Sequence, residues 1–213
     1  MQKRKGFVLV FLTTVLLIFL TCFFSSRFIS SEEKEISPGQ GKLYVVGMGP
    51  AFPDLLTLKA VKVINEADVL VCARDIKERF PEQVKGKRVL FDPVEYLRKH
   101  HGKCPRDLSK EERKGYEKSL KTKRERAAEM IREEIEKGKV VAFLEYGDPC
   151  LFGGASIWLK EYFKESELKV IPGLSSFNVV NGLLKKDITC NGAVILTSPD
   201  GVSGAEKKAL WGV

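Results

Sequence analysis

The stretch Leu43-Tyr44-Val45-Val46-Gly47-Met48-Gly49-Pro50 decides the fold, because a short β-branched run ends in a turn made of glycine and proline. Such a run is typical of a buried strand in a parallel sheet. After the turn, residues 54–66 carry apolar side chains at positions 55, 58, 61 and 64, which predicts a helix that buries this stripe. A strand, a glycine turn and a helix in this order form the opening unit of an open α/β sheet.

The same pattern occurs twice more along the chain. Val140–Leu144 precedes the turn Tyr146-Gly147-Asp148-Pro149, and Leu168–Ile171 precedes Pro172-Gly173-Leu174-Ser175-Ser176. Glycine permits close approach of the backbone and unusual φ angles, while proline fixes φ. Ligands of open α/β sheets bind beyond the carboxyl ends of the strands, so these three turns are the candidate binding loops.

The remaining pattern supports strands that alternate with helices. Further strands are predicted at 68–72, 88–91 and 193–197, and helices at 109–137, 153–163 and 175–184. Ser109 and Glu112 have the spacing of a capping box, Gly138 ends that long helix, and either Ser175 or Ser176 caps the last one. The second and third turns are therefore both expected at helix N-termini, where unpaired N–H groups face anions.

Charge and cysteine usage exclude several classes of function. The net charge is +8, but four of the basic residues precede position 28 and all 28 acidic residues follow it, so the remainder carries +4. This mild bias is no nucleic-acid signature, although it is compatible with a substrate that bears carboxylates. The five cysteines form no CxxC pair, which favours buried, unpaired thiols. Adjacent His100 and His101 point apart in most backbones, so with Cys104 they predict no metal site.

The N-terminal residues predict a membrane anchor. Residues 7–24 are uncharged over 18 positions, about 27 Å as a helix, which matches the hydrocarbon thickness of a bilayer. No Ala-x-Ala cleavage pattern follows, so an uncleaved single-pass anchor within residues 1–30 is favoured, with a linker at 31–41 and the domain at 42–213. Lys3, Arg4 and Lys5 before the segment predict that the domain lies on the extracytoplasmic side.

Two familiar nucleotide-binding motifs do not fit. A Rossmann fingerprint needs a third glycine where Phe52 stands, and an acidic residue at the end of the second strand where Cys72 stands. No P-loop sequence and no Gly-x-Ser-x-Gly elbow occurs.

Taken together, the three turns resemble the tetrapyrrole methylase family, over about residues 42–197. Residues 43–60 look like the family's first signature, residues 140–153 with Gly-Asp-Pro and Leu-Phe-Gly like its second, and residues 170–177 like its third. The resemblance implies S-adenosylmethionine as cofactor, methyl transfer to a carbon of a tetrapyrrole, and a homodimer. It implies the following cofactor-binding residues: Gly47, Gly49, Pro50, Tyr146, Gly147, Asp148, Pro149, Ser175 and Ser176.

Other polar residues lie where a substrate is expected. Asp92, Tyr96, His100 and His101 fall between the elements of the first lobe, and Asp92 and His101 are the candidate catalytic residues. A histidine there would assist proton removal after methylation, whereas the alternative is an ordinary polar loop. We expect His101→Ala to change turnover without altering cofactor affinity. Asp148 likewise has two interpretations, a cofactor contact or only a turn or helix cap.

The chain also departs from the family pattern. Ala51 and Phe52 replace the Gly-Asp that is usual in the first loop, and only one strand is predicted after residue 184. We therefore expect a complete first lobe and a partial second lobe. Two hypotheses stay open: a membrane-anchored methyltransferase, and a non-catalytic, truncated membrane-anchored remnant or binding module on the same half-fold. The cofactor also conflicts with the predicted orientation, because S-adenosylmethionine is a cytoplasmic metabolite, so the side of the membrane stays open as well.

Overall fold

The computed structural model describes residues 41–50, 52–98, 108–151, 156–185 and 187. Within these residues there are five strands: β1 (Lys42–Gly47), β2 (Val69–Val71), β3 (Arg88–Val89), β4 (Val140–Glu145) and β5 (Leu168–Ile171). They form one parallel sheet in the order β3-β2-β4-β1-β5. The α/β class with a parallel sheet is thus confirmed.

Helices connect the strands, as parallel pairing requires. The α-helices are α1 (Leu58–Glu66), α2 (Arg74–Arg79), α3 (Pro81–Val84), α4 (Lys110–Glu136) and α5 (Ser176–Leu184). Shorter helical turns are two 3₁₀ helices at Pro53–Leu55 and Ile157–Glu161, and a π-helix at Val94–Arg98. The predicted strand at 193–197 and the segments at 1–30 and 31–40 lie outside the described residues.

One face of the sheet carries the main hydrophobic core. Alternate residues of β1, β2 and β4 point to this face, because side chains of a strand alternate between the two faces. They pack against α4 and the second 3₁₀ helix. The buried members of this core are Leu43, Val45, Val69, Val71, Leu97, Ala127, Ala128, Ile131, Val141, Phe143, Trp158, Leu159 and Phe163. Helix α1 contacts β1 and β4 and covers the other face.

The buried stripe of α1 differs from the predicted one. The helix begins after Thr57, whose hydroxyl accepts a hydrogen bond from the Ala60 amide at 3.1 Å, and it buries Ala60, Val63 and Ile64. Leu58, predicted to be buried, is 90% exposed. Ile64 is buried as predicted, but the prediction was wrong for Leu58, because it gave no weight to the small residue Ala60 on the buried side.

The long helix α4 confirms the capping-box prediction. The Ser109 hydroxyl accepts from the Glu112 amide at 3.2 Å, and the Glu112 carboxylate accepts from the Ser109 amide at 2.8 Å. The helix ends at Glu136, and Gly138 follows with a φ of +78°. Both ends of α4 are therefore set by local chemistry that the sequence displays.

The segment after β4 is less helical than predicted. In its described part, residues 148–151 form a turn and only Ile157–Glu161 is helical, as a 3₁₀ helix. Among the residues that the structure describes, the second glycine turn therefore leads into a turn and not into a helix, in contrast to the third; the predicted helix start at Gly153 and Gly154 lies outside them. A local turn competes with the helix here, because the Asp148 carboxylate accepts a hydrogen bond from the Cys150 amide at 2.8 Å.

Among the described residues, no helix has the length and apolar character required to cross a bilayer. The predicted anchor at residues 7–24 lies outside these residues, so it stays a prediction.

Candidate functional site

The three glycine turns meet at one edge of the sheet. They follow β1, β4 and β5, which are adjacent parallel strands, so their carboxyl ends come together. The Gly147 amide donates to the Gly49 carbonyl at 2.8 Å, and the Gly49 amide donates to the Gly147 carbonyl at 3.3 Å. This reciprocal pair joins the first turn to the second through backbone alone. The convergence expected from the sequence is confirmed.

The third turn joins the other two by close backbone packing. A Cβ atom added to Gly47 would come within 2.5 Å of the Gly173 nitrogen and 2.7 Å of the Gly147 carbonyl oxygen. Real side chains do not tolerate such distances, so the close approach of the loops requires glycine at position 47.

Two of these glycines also adopt a backbone conformation that other residues avoid. Gly49 has a φ of +65° and Gly147 has a φ of +66°. At Gly147 an added Cβ would meet no atom within 4 Å, so the backbone there is bare to open space. A ligand can therefore approach the Gly147 backbone closely.

A cleft of about 320 Å³ opens beside this junction. Its size lies at the lower end of the range for small-molecule sites, which is about 300–1,000 Å³. The lining residues are Pro50, Tyr146, Gly147, Asp148, Leu151, Ser175, Ser176 and Phe177. Six of them are predicted cofactor-binding residues, whereas Leu151 and Phe177 were missed.

The three predicted residues that do not line the cleft have other positions. Gly47 and Gly49 are buried beneath it, where they hold the loops together. Pro149 is half-buried in the turn next to Asp148. The sequence offered one signal for the missed residues, since Phe177 directly follows the third turn and Leu151 lies two residues after the second.

Ser175 resolves the open question about the cap of α5. It is the N-cap, and its hydroxyl accepts from the Asn178 amide at 3.3 Å. Ser176 is the first helical residue and is exposed. The N-terminus of α5 therefore faces the cleft with one of its four unpaired amides already bonded.

The Tyr146 hydroxyl pairs with residues of α2, a contact that the sequence did not indicate. It pairs with the Asp75 carboxylate and the Arg79 guanidinium. Burial, followed by the hydrogen bond to Asp75, raises the pKa of the Tyr146 phenol above its ordinary value, and Arg79 lowers it to a smaller extent. The phenol is therefore neutral at physiological pH.

The candidate catalytic carboxylate Asp92 is held by backbone amides. One of its oxygens accepts from the Arg74 amide at 2.8 Å, and the other accepts from Val94 at 2.8 Å and Glu95 at 3.2 Å. These bonds fasten the first turn of α2 and the π-helix after β3. Asp92 thus has a clear structural role. His100 and His101 lie outside the described residues.

A second and more open cavity, of about 540 Å³, lies along α4. Tyr96 lines one side of it and packs against Phe91, with ring centroids 5.4 Å apart and the rings tilted by 47°. The α4 side is basic and has small residues that leave room. Its members are Gly115, Lys118, Ser119, Thr122, Lys123 and Arg126.

The described cysteines differ in their surroundings. Cys72 is buried, and its burial raises the pKa of the thiol to about 11, so it is not nucleophilic at neutral pH. Cys150 is exposed, contrary to the expectation of buried thiols. In the described part of the chain, no three metal-ligating side chains gather into a cluster.

The fold and the loops define the class of the protein as a ligand-binding α/β protein with its cleft at the carboxyl edge of a parallel sheet. The sequence pattern of the tetrapyrrole (corrin/porphyrin) methylases matches residues 42–212. The chain therefore belongs to the tetrapyrrole methylase family.

Relatives agree with this assignment. A cobalamin biosynthesis protein CbiHC of Archaeoglobus fulgidus is 30% identical over 82% of this chain and 34% of its own length. An S-adenosyl-L-methionine-dependent uroporphyrinogen III methyltransferase of Methanosarcina barkeri is 32% identical over 66% of this chain and 48% of its own. The chain spans about half the length of most of the curated relatives it matches, and less of CbiHC.

A solved structure supports the fold. The cobalt precorrin-4 methyltransferase CbiF superposes with a TM-score of 0.53 at 20% identity, over 78% of this chain and 62% of that one. This likeness concerns the fold alone.

Proposed function

We propose that this protein is an S-adenosylmethionine-dependent methyltransferase that acts on a carbon atom of a tetrapyrrole-like substrate. The observation that carries the proposal is the junction of three glycine turns beside one cleft, in a chain that belongs to the tetrapyrrole methylase family. Methyltransferases of uroporphyrinogen and cobalt-precorrins are among its relatives.

The cleft suits an adenosyl sulfonium compound by its chemistry. Gly147 leaves open space where a Cβ would stand, so the backbone can contact a ligand directly. Among the described lining residues there is one carboxylate, Asp148, and there is no lysine or arginine. A phosphate-rich nucleotide would find no cationic side chain among these residues, whereas a positively charged ligand would meet no charged side chain of its own sign.

The chain's own residues would contribute mainly by positioning. When bound, S-adenosylmethionine supplies an activated methyl group, so no nucleophilic triad is needed. The glycine turns would hold the donor, and Leu151, Phe177 and Pro50 would exclude water from the cleft. The Tyr146 phenol and the Asp92 carboxylate already have partners, so neither is assigned the transfer of a proton.

The basic cavity along α4 supports a substrate with carboxylates. Tyr96 follows β3, so it lies on the carboxyl side of the sheet, as the cleft does. Lys118 offers positive charge beside an aromatic ring, whereas Arg126 in the same cavity already pairs with Glu129 at 3.0 Å. Lys118→Glu should weaken substrate binding while the affinity for the cofactor stays within twofold; loss of both affinities would count against this division of labour.

The experiment for the cofactor is calorimetry on the full-length chain in mild detergent. We expect S-adenosylhomocysteine to bind with micromolar affinity, and ATP at the same concentration to give no heat. Absence of heat with both S-adenosylhomocysteine and S-adenosylmethionine would refute the proposal. Methyl transfer is then measured with uroporphyrinogen III and tritiated donor.

A second candidate function is a non-catalytic module that binds the same ligand. It is favoured by the first loop, where Phe52 is 57% exposed at a position that carries a carboxylate in the family pattern. This candidate would be supported over the enzyme if the chain binds the cofactor but transfers no methyl group to any tetrapyrrole tried, and if Phe52→Asp restores no transfer.

We also propose that residues 7–24 anchor the protein in a membrane as a single span, and that the linker at 31–41 precedes the domain. Exposed Cys150 allows the side to be determined. In a variant with Cys22, Cys104 and Cys190 changed to serine, a membrane-impermeant maleimide should label intact cells if the domain lies outside. Labelling only after lysis would place it inside, where S-adenosylmethionine is available.

The homodimer that the family resemblance implies is likewise proposed. Light scattering coupled to size exclusion, with the detergent contribution subtracted, should give twice the chain mass of 23.9 kDa.

A further inference from the structure

Tyr146 has an aromatic ring in the cleft and a hydroxyl that is satisfied elsewhere. It follows β4 directly, lines the cleft and is 37% exposed. Its hydroxyl pairs with Asp75 and Arg79 on α2. Because the polar group already has partners on α2, the ring is the part of Tyr146 that is left for a ligand to meet.

Among the described residues that line the cleft beside the ring, none is a lysine or an arginine. Of the described residues that line the cleft, Asp148 carries the only charge, and Phe177 supplies the only other ring. The face of an aromatic ring attracts cations electrostatically, more strongly where water is excluded. A cationic ligand therefore gains binding free energy at the Tyr146 ring that a neutral ligand of the same shape does not gain.

We infer that Tyr146 is a specificity-determining residue, whose ring contacts the sulfonium of S-adenosylmethionine and favours this charged donor over the neutral thioether S-adenosylhomocysteine. The inference rests on the proposed function and deepens it. The two compounds differ at the sulfur by one methyl group and one positive charge, so a charge-selective wall separates donor from product. When the methyl group leaves, the sulfur loses its positive charge and the ring loses its contact with a cation, which favours release of S-adenosylhomocysteine.

The contact should be worth about 3- to 30-fold in affinity, the usual strength of a cation–π pair in a partly buried site. The loss should appear in the binding of the charged compound alone.

The experiment compares dissociation constants of both compounds by calorimetry, using the full-length chain. Tyr146→Leu should weaken binding of S-adenosylmethionine about 3- to 30-fold, and that of S-adenosylhomocysteine less than twofold. Tyr146→Phe keeps the ring and should keep the ratio of the two constants. Phe177→Leu serves as the matched control for the other ring in the cleft, and it should weaken both compounds equally.

Several results would overturn the inference. They are an equal loss for both compounds in Tyr146→Leu, a Tyr146→Phe variant as unselective as Tyr146→Leu, or a change of ratio caused by Phe177→Leu instead. Thermal unfolding of each variant identifies a fold defect. If a variant is misfolded, the ratio of the two dissociation constants of the wild-type chain decides, because a wild-type chain that binds both compounds equally also refutes the inference. Failure of the wild-type chain to bind either compound would instead refute the proposed function.

Discussion

Gly47 and Gly173, from the first and third turns, lie so close that a Cβ on Gly47 would stand 2.5 Å from the Gly173 nitrogen. There is no room for a side chain between the two backbones at this point. The junction on which the cleft is built is therefore a packing of bare peptide groups.

Gly47→Ala should accordingly destabilise the fold by about 1–3 kcal/mol, because the loops must move apart to admit the methyl group. The measurement is urea unfolding followed by circular dichroism. Gly115→Ala is the matched control, since an added Cβ in that helical position meets no atom within 4 Å. It should stabilise α4 by about 0.5–1 kcal/mol. Equal effects of the two changes would contradict the packing described.

Gly147→Ala separates backbone strain from loss of ligand contact. With a φ of +66°, the alanine variant should lose about 1 kcal/mol of stability. Its Cβ would also enter the cleft, so S-adenosylhomocysteine should bind at least tenfold more weakly. Gly86→Ala has the same strain at a φ of +71°, also with open space around an added Cβ, and Gly86 does not line the cleft. The Gly86→Ala variant should bind S-adenosylhomocysteine with wild-type affinity. Weaker binding by this variant would show that backbone strain alone explains the loss of affinity in Gly147→Ala.

Asp148→Ala and Asp148→Asn distinguish a turn from a charge. The carboxylate accepts from the Cys150 amide at 2.8 Å, and an asparagine oxygen can make the same bond. Asp148→Ala should cost about 1 kcal/mol of stability, and Asp148→Asn much less. If the charge also holds a cationic ligand, Asp148→Asn will weaken S-adenosylmethionine binding without lowering the melting temperature. Unchanged affinity in both variants would leave Asp148 with the turn role alone.

Glu134 should make the protein sensitive to acid. This buried carboxylate lies 2.8 Å from Arg88, 3.0 Å from Lys137 and 2.9 Å from Lys139. The hydrogen bonds from Lys139 and Lys137 lower its pKa from 4.5 to about 2. Because the folded pKa is depressed, its stabilising contribution is complete above about pH 4.5 and is lost as the pH falls towards 2.

Glu134→Gln should therefore cost about 2 kcal/mol at pH 7, and should flatten the pH dependence of the free energy of unfolding between pH 4.5 and 2. Glu133→Gln is the control, because Glu133 is exposed on the same helix. Urea midpoints measured across this range decide. A Glu134→Gln curve that stays parallel to the wild-type curve would refute the assignment.

Local patterns predicted the strands and the cap of α4 because the interactions that create them are near in sequence. The run 140–144 is recognised by its own unbroken series of apolar residues, and Ser109 reaches Glu112 three positions away. The same holds for the glycine turns, since a strand that ends in glycine and proline must turn. Six of the cleft residues followed directly from those turns.

Other features depended on which face of each helix or strand packs against the rest of the protein. The sequence of α1 contains two overlapping apolar stripes, and the one that is buried includes the small residue Ala60. Asp92 was predicted to be a catalytic candidate, yet it binds the Arg74 amide, 18 positions away. No local pattern indicates such a bond.

The sequence by itself determined where the chain turns, which runs become strands, and the family to which the chain belongs, because these depend on neighbouring residues. Only the tertiary structure decided the strand order, the contact of Gly47 with Gly173, and the pairing of Tyr146 with Asp75. The physical reason is that these contacts join groups some 70 to 125 positions apart, where packing of the whole sheet sets the distance.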